Sequence, residues 1–312
     1  MEVETGKMHS NTYRKIIILL LSGIGVIILV SFPSIAISDT PVGVVLINWD
    51  GTQKETVQQL LEIGKLEHLS FILEEGSWIN MSITRHYSDS MASRAEILTG
   101  YSPMITGVHR TMAYGEIPKN LTIFERLKKE MGPDNVSNAV VTSKKGSIGT
   151  AKGLPFVNAR DFIDHLWDSD ADALLAGSIA VETLYSIDTK KPFFLFIQLK
   201  DASQAGSALT IGSRQYMDAI VRNDIVLGMI LDAIVDLNIS DDVTVYVTTD
   251  HGFGNGSGSG TGETGIWMVA NKPGYRTEGD QRDIIPTILD VFGLNYSVME
   301  PAYEGVSLID YN

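Results

Sequence analysis

An aspartate and a histidine stand side by side at Asp250 and His251, directly after the apolar, β-branched run 243–249. A run of this kind suits a strand that is buried on both faces of a parallel sheet. In such sheets ligands bind beyond the carboxyl ends of the strands, where both side chains are expected to lie. A carboxylate and an imidazole at adjacent positions can bind one divalent cation, and zinc and manganese suit both ligand types. For the dipeptide alone, the alternative is a turn aspartate beside a surface histidine.

Two more polar groups stand at the ends of predicted elements. Asp50 follows the apolar run 42–48, and Ser90 precedes a predicted helix that begins within 91–95. A hydroxyl at a helix N-terminus faces free backbone N–H groups and the positive end of the helix dipole, which suits a phosphate or sulfate oxygen. Arg94 can add a planar cationic fork to the same anion. The alternative for Ser90 is a purely structural N-cap.

The elements that must position these residues alternate between strand and helix. The predicted strands cover residues 42–48, 77–87, 138–144, 192–201, 243–250 and 265–271. The predicted helices cover residues 55–76, 171–187 and 214–237, besides the helix that follows Ser90. This alternation is typical of the α/β class, with a mostly parallel central sheet and helices on both faces.

The residues before this domain predict one N-terminal transmembrane helix. Residues 16–38 carry no charged side chain and are long enough to cross a bilayer. A cleaved signal peptide is the alternative, because the letters AIS before Asp39 resemble a cleavage site. The apolar stretch is, however, longer than the apolar region of a usual signal peptide. Basic residues on its N-terminal side keep residues 1–15 in the cytoplasm as a short tail. Residues 39–312 are then expected to form one extracytoplasmic domain behind a single-pass anchor.

Composition restricts the partners and the metal chemistry. The formal net charge of −14 argues against nucleic acid as a partner. The chain has no cysteine, so a metal site must use oxygen and nitrogen ligands. Six Asn-x-Ser/Thr sequons are compatible with an extracytoplasmic chain, and they lie at Asn80, Asn120, Asn135, Asn238, Asn255 and Asn295.

On these motifs the chain resembles the alkaline phosphatase superfamily, in its sulfatase, type I phosphodiesterase and nucleotide pyrophosphatase branch. The segment VVLINWDG resembles the first metal-binding strand of that branch, SMASRAEILTGYSPMITGV its nucleophile segment, and TTDHGF its Asp-His metal motif. The resemblance runs from Val42 to about Leu308. It implies an alkaline phosphatase-like sandwich for the domain.

The resemblance also implies roles for individual residues. Asp50, Asp250 and His251 would hold one divalent cation, and Ser90 would bridge it as the nucleophile. The implied reaction is the hydrolysis of phosphoric esters through a covalent phospho-enzyme. Sulfuric esters are less expected, because Ser90 would first need oxidation to an aldehyde and Ala92 stands where the sulfatase signature has proline. The expected ligands are a phosphorylated or sulfated small molecule, a glycan or a lipid headgroup.

The second metal site of the branch is degraded in this sequence. Ser203 and Ser207 stand where the branch has an aspartate and a histidine, and Asp201 is the only nearby acid. No histidine follows the Asp-His motif, so the third ligand is also missing and a second metal is doubtful. Lys144 and Lys145 can supply positive charge to this side, or they can simply end a strand in solvent. The alternative to a hydrolase is therefore a catalytically inactive pseudoenzyme that binds a ligand outside the cytoplasm.

Overall fold

The computed structural model describes residues 43–253 and 265–311. The strands in this part of the chain are β1 (Gly43–Trp49), β2 (Ser77–Ser82), β3 (Val108–Arg110), β4 (Ala113–Tyr114), β5 (Ser137–Thr142), β6 (His165–Asp168), β7 (Phe193–Leu199), β8 (Val243–Thr248), β9 (Gly265–Ala270) and β10 (Glu278–Asp280). The helices are α1 (Lys54–Glu62), α2 (Glu67–Leu73), α3 (Ser90–Thr99), α4 (Pro103–Thr106), α5 (Ile123–Met131), α6 (Ala173–Ser186), α7 (Asp201–Ala208), α8 (Arg214–Asp236) and α9 (Ile284–Val291). The anchor predicted for residues 16–38 and the sequon at Asn255 lie outside the described residues. Among the described helices, none has the length and apolar character needed to cross a membrane.

Eight of these strands form one sheet in the order β10-β2-β9-β8-β1-β7-β5-β6. Neighbouring strands are parallel except at β9, which is antiparallel to both β2 and β8. Strands β3 and β4 form a separate short hairpin. The prediction of a mostly parallel α/β sheet is therefore confirmed.

Two hydrophobic cores lie on opposite faces of this sheet. Side chains of β1 alternate between them, as the pleat of a strand requires. Val44 and Leu46 belong to one core, together with apolar residues of α3, α5 and α9. Val45, Ile47 and Trp49 belong to the other, with α1, α2, α6 and α8. With helices on both faces, the polar ends of the central strands are the place left for a site.

Some predicted boundaries were wrong, for local reasons. The segment 55–76 was expected to be one helix but forms α1 and α2, separated at Gly64, which has a φ of 66°. Glycine adopts this left-handed conformation without a steric penalty and therefore ends helices readily. The strand expected over 77–87 stops at Ser82, and α3 begins at Ser90 rather than after it.

Candidate active site

The register of two neighbouring strands brings Asp50 and Asp250 together. β1 and β8 are parallel, with Asn48 opposite Thr248, so the two aspartates leave the sheet side by side, each two residues further on. A carboxylate oxygen of each aspartate and a ring nitrogen of His251 lie within 4.8 Å of one another. None of the three residues is more than 2% exposed. The group is compact enough for all three residues to reach one cation.

The imidazole of His251 is held in a defined orientation. Its Nδ1 lies 3.0 Å from the carbonyl oxygen of Gly252, a contact in which Nδ1 must donate. In the neutral ring the lone pair is then on Nε2, which lies 3.2 Å from Asp50 Oδ1. A backbone carbonyl that fixes the other nitrogen in this way is the usual support of a metal-binding histidine.

The three groups perturb one another's ionisation. Burial raises the pKa of Asp50, but the nearby ring nitrogen and the charge of His251, with the charges of Arg94 and Lys144, hold it well below its ordinary value. Burial and the negative charge of Asp50 raise the pKa of Asp250. Burial lowers the pKa of His251, but Asp250 and Asp50 outweigh it and raise that pKa to about 9. The site therefore favours a positive charge at its centre.

The hydrogen bonding of the two aspartates tests whether a cation fits here. Asp50 Oδ2 accepts from Gln198 and Asp250 Oδ1 accepts from the backbone N–H of Gly51. The other two oxygens, Asp50 Oδ1 and Asp250 Oδ2, are buried and have no hydrogen-bond donor. Buried oxygens of this kind are costly unless a cation or another donor approaches them. Two oxygens and an imidazole nitrogen are a donor set that suits a divalent metal.

Arg94 faces the carboxylates rather than an open pocket. Its Nη2 lies 3.7 Å from Oδ2 of Asp50 and 3.7 Å from Oδ2 of Asp250, and the side chain is 3% exposed. Its Nη1 donates to the carbonyl oxygen of Ser147 at 3.3 Å. In this arrangement the guanidinium balances the charge of the two aspartates, and its contact with a substrate anion stays a prediction.

Ser90 is the first residue of α3, and its hydroxyl does not cap the helix. Asp89 is the N-cap, and its carboxylate accepts hydrogen bonds from the backbone N–H groups of Met91 and Ala92. The N-cap role considered for Ser90 therefore belongs to Asp89, which also occupies two of the donors expected to bind an anion. Ser90 Oγ instead forms a hydrogen bond with His251 Nε2 at 2.7 Å. The structure thus places a partly exposed hydroxyl against the Asp-Asp-His group.

A cavity of about 300 Å³ adjoins this group, on the side where the sequence predicts that the second metal site has lost its ligands. It is lined by Asp50, Lys144, Asp170, Lys200, Ser203, Gln204 and Ser207. Ser203 and Ser207 lie one turn apart on α7 and both line the cavity. Two serines therefore take the positions where the family has an aspartate and a histidine. Gly51 permits the close approach of this helix, because a Cβ there would lie 2.9 Å from Ser203 Cα.

The lysines in this cavity are distributed differently from the prediction. Lys144 lines it, whereas Lys145 contributes only a backbone N–H, which donates to Asp170 Oδ1 at 3.3 Å. Lys200, which the sequence analysis missed, lines it too and forms an ion pair of 2.8 Å with Asp170. Asp170, which also lines the cavity, was missed as well. Lys200 follows β7 and Asp170 follows β6, as Asp50 follows β1, and that signal could have found them.

Asp201 does not replace the missing ligands. Its Oδ2 accepts from the backbone N–H of Ala173 and lies 3.6 Å from Arg222. It lines a neighbouring cavity of about 520 Å³ instead of the one beside Asp50. Among the described residues, Asp50, Asp250 and His251 form the only cluster of three or more acidic, histidine or cysteine side chains placed to hold a metal.

The sequence is similar to a known protein family. The family model for type I phosphodiesterase / nucleotide pyrophosphatase matches residues 44–269, which is most of the chain. No curated protein sequence matches significantly.

Solved structures share the fold at low sequence identity. A protein designated 4S-sulf, from glycosaminoglycan metabolism in Bacteroides thetaiotaomicron, has a TM-score of 0.65 at 15% identity, with 87% of this chain and 77% of that chain covered. A TAB5 alkaline phosphatase mutant with bound Mg has a TM-score of 0.58 at 15% identity, covering 82% and 99%. Murine ectonucleotide pyrophosphatase / phosphodiesterase 5, an inactive variant in complex with AMP, has a TM-score of 0.60 at 10% identity, covering 81% and 95%.

Proposed function

We propose that this chain, which belongs to the type I phosphodiesterase / nucleotide pyrophosphatase family of the alkaline phosphatase superfamily, hydrolyses phosphoric esters with Ser90 as its nucleophile. Asp50, Asp250 and His251 would hold one divalent cation, zinc or manganese by ligand type, and Ser90 would lie beside them as the nucleophile. The observation that carries the proposal is the contact of Ser90 Oγ with His251 Nε2, beside two buried carboxylate oxygens without donors.

The chemistry of the reaction follows from these positions. Held by Asp50, Asp250 and His251, a divalent cation would supply Lewis-acid chemistry at this site, which favours deprotonation of a hydroxyl and polarises an ester oxygen. Ser90 Oγ attacks the phosphorus, forms a phosphoserine ester and displaces the alcohol of the substrate. Water then cleaves the phosphoserine ester and restores the hydroxyl. Asp89 holds the start of α3, and with it Ser90, through the backbone N–H groups of the first turn.

Positive side chains near Ser90 support an anionic substrate. Lys144 lines the cavity beside Asp50, and we assign it to the phosphoryl oxygens in place of a second cation. Lys145 does not line that cavity, so we give it no substrate contact. Arg94, between the two aspartates, would keep them ionised and in place and would reach a substrate oxygen only from their side.

Substrate class is proposed from the same features. The AMP bound to the murine relative and the glycosaminoglycan metabolism of the Bacteroides relative motivate tests on nucleotide-like esters and on phosphorylated or sulfated sugars. We rank phosphoric above sulfuric esters, because an unmodified serine hydroxyl is the nucleophile that phosphoryl transfer needs. A lipid headgroup is the third class to test, and a nucleic acid polymer is not expected for a chain of net charge −14.

We further propose that residues 39–312 form one domain outside the cytoplasm, behind a single-pass anchor at 16–38. The uncharged stretch and the basic residues before it support this orientation. All five sequon asparagines within the described residues are exposed, as an extracytoplasmic domain permits.

The test is a pair of substitutions measured for both turnover and bound metal. Ser90→Ala removes the nucleophile and should lower hydrolysis of a phosphodiester by at least about 1,000-fold while metal content is retained. Asp250→Asn should abolish metal retention and turnover together, because a neutral amide is a much poorer ligand than a carboxylate. Ser178→Ala is the matched control, since that hydroxyl lies on α6 and donates only to Leu174.

Two outcomes would contradict the proposal. If Ser90→Ala kept the hydrolysis of the unmodified chain, Ser90 would not be the nucleophile. If the unmodified chain bound neither Zn²⁺, Mn²⁺ nor Mg²⁺ and hydrolysed no ester, the binding-protein alternative would replace the hydrolase.

A further inference from the structure

Gln198 is a buried polar side chain that the proposed reaction does not use. It lies on β7 opposite Asn48 of β1, and none of its surface is exposed. Its Nε2 donates to Asp50 Oδ2 at 2.8 Å. This orientation of the amide is fixed chemically, since an ionised carboxylate accepts hydrogen bonds and cannot donate them.

The other end of the same amide is also held. Gln198 Oε1 accepts a hydrogen bond from Ser147 Oγ. The carbonyl oxygen of Ser147 accepts from Arg94 Nη1, and Arg94 Nη2 returns to Asp50 Oδ2 at 3.7 Å. The four residues Asp50, Gln198, Ser147 and Arg94 form a closed ring of polar contacts, which we call the amide ring.

The amide ring gives the two carboxylate oxygens of Asp50 different neighbours. Oδ2 faces Gln198 and Arg94, whereas Oδ1 faces His251 Nε2 and has no donor. A rotation of this carboxylate would break the hydrogen bond to Gln198 and leave a buried amide N–H unpaired, which is unfavourable. The ring therefore keeps Oδ1 directed at the place where Asp250 and His251 also converge.

We propose that Gln198 is a positioning residue that orients Asp50 as a cation ligand, with Ser147 and Arg94 fixing the amide and the carboxylate in turn. This inference rests on the proposed function, because it assumes that Asp50 holds the cation. Groups that orient metal ligands typically contribute about 10- to 100-fold to metal affinity. Gln198 acts through Asp50 and is not assigned a contact with the substrate.

The experiment measures Mn²⁺ affinity by calorimetry on the full chain, and then turnover as a function of Mn²⁺ concentration. Gln198→Met has nearly the same length but cannot donate, and it should weaken Mn²⁺ binding by roughly 10- to 100-fold. Turnover at saturating Mn²⁺ should return to within a few-fold of the unmodified chain, since the nucleophile is intact. A purely structural role would not give this rescue by excess cation.

Two further variants keep the result interpretable. Ser147→Ala removes only the hydroxyl that holds Gln198 Oε1 and should show a smaller loss of Mn²⁺ affinity, even if Gln198→Met folds poorly. Asn138→Leu is the matched control, because Asn138 is a buried strand amide that donates to the carbonyl oxygens of Phe124 and Phe162, at the far end of β5. It should lower thermal stability and leave Mn²⁺ affinity unchanged.

The outcomes separate this inference from the proposed function. Unchanged Mn²⁺ affinity in both Gln198→Met and Ser147→Ala, with tight binding by the unmodified chain, overturns the positioning role and leaves the hydrolase proposal standing. Absence of Mn²⁺ binding in the unmodified chain overturns both. Lost turnover that excess Mn²⁺ does not restore also overturns the positioning role, because the defect would then lie outside cation binding.

Discussion

At the scale of single residues, the site is a balance of buried charges. Two aspartates that are fully buried would repel each other strongly, since interactions are less screened away from water. Arg94 lies 3.7 Å from both, and His251 lies 3.2 Å from Asp50 and 3.9 Å from Asp250. These neighbours make the arrangement possible in a folded protein, because buried charges persist only when they are paired.

A second buried pair, His86 and Glu96, predicts a pH dependence of stability. His86 Nε2 lies 3.1 Å from Glu96 Oε2. Burial lowers the pKa of His86, but the hydrogen bond and charge of Glu96 raise it above its ordinary 6.5. Burial raises the pKa of Glu96 above its ordinary 4.5, although the hydrogen bond and charge of His86 lower it. The charge of Asp280 raises this pKa further, and the charge of Arg282 lowers it. Both groups thus bind a proton more tightly in the folded state.

We therefore expect stability from this pair to be lost as pH rises. For His86 the contribution is fully present below 6.5, its ordinary pKa, and disappears as pH rises through its higher folded pKa. Glu96 adds a dependence of the same sign that begins above its ordinary 4.5. His86→Gln should have a lower melting temperature than the unmodified chain at pH 6, by about 2–4 °C for each kcal/mol of stability lost. This difference in melting temperature should become smaller by pH 9.

Thermal melts of both proteins across this range are the measurement. His109→Gln is the matched control, because His109 is exposed and is expected to leave the melting profile unchanged. If the difference in melting temperature grew with rising pH, the pair would stabilise the fold at high pH, and the prediction would be wrong.

At the scale of elements, parallel register decides which side chains meet. Asn48 lies opposite both Thr248 and Gln198, and Thr142 lies opposite Gln198 and Asp168. Extending this register by two residues aligns the ends of β8, β1, β7, β5 and β6, which carry Asp250, Asp50, Lys200, Lys144 and Asp170. Charged groups from five strands thus meet at one edge of the sheet, where α7 covers one side with serines.

The position of α7 predicts that a second metal site can be rebuilt. Ser203 and Ser207 both line the cavity beside Asp50. Ser203→Asp combined with Ser207→His would place a carboxylate and an imidazole one helical turn apart, facing that cavity. The double variant should bind one more equivalent of Zn²⁺ and hydrolyse phosphodiesters several-fold faster, because a second Lewis acid stabilises developing charge. Metal content and turnover are measured together.

The control for this variant is Ser203→Ala with Ser207→Ala, which changes the same positions without adding ligands and should gain no metal. A rebuilt site that bound the second Zn²⁺ without any gain in turnover would show that the cavity does not contact the reacting phosphate.

At the scale of the whole molecule, the sheet separates two hydrophobic cores. Fully buried strands β1, β7 and β8 lie at its centre, and each contributes side chains to both faces. Dense packing of this kind holds the strand ends in place, so the site can be built on short loops at the carboxyl edge.

The topology of the chain is testable at this scale. With an uncleaved anchor at 16–38 and the domain outside, protease added to intact cells should digest the C-terminal domain and leave cytoplasmic proteins whole. An antibody against the C-terminal residues, used with a cytoplasmic marker as control, follows the digestion. A protected domain would contradict the orientation, and a mature N-terminus at Asp39 would contradict an uncleaved anchor.

The amino-acid sequence by itself determined the class of fold, the family and the identity of the central polar residues. Runs such as 243–249 are apolar and β-branched over a strand's length, and these local properties are visible without a structure. The same holds for Asp50 and for the pair Asp250 and His251, because a charged residue at the end of such a run marks the carboxyl end of a strand, where ligands bind in parallel sheets.

Only the tertiary structure decided which of these groups face one another. Strand order and register are set by packing between segments far apart in the chain, as with β1 and β8, and no local pattern encodes them. Helix capping could not be assigned between Asp89 and Ser90 until the side-chain hydrogen bonds were known. Gln198 gave no signal in an apolar strand, because its role depends on the carboxylate that a neighbouring strand places 2.8 Å away.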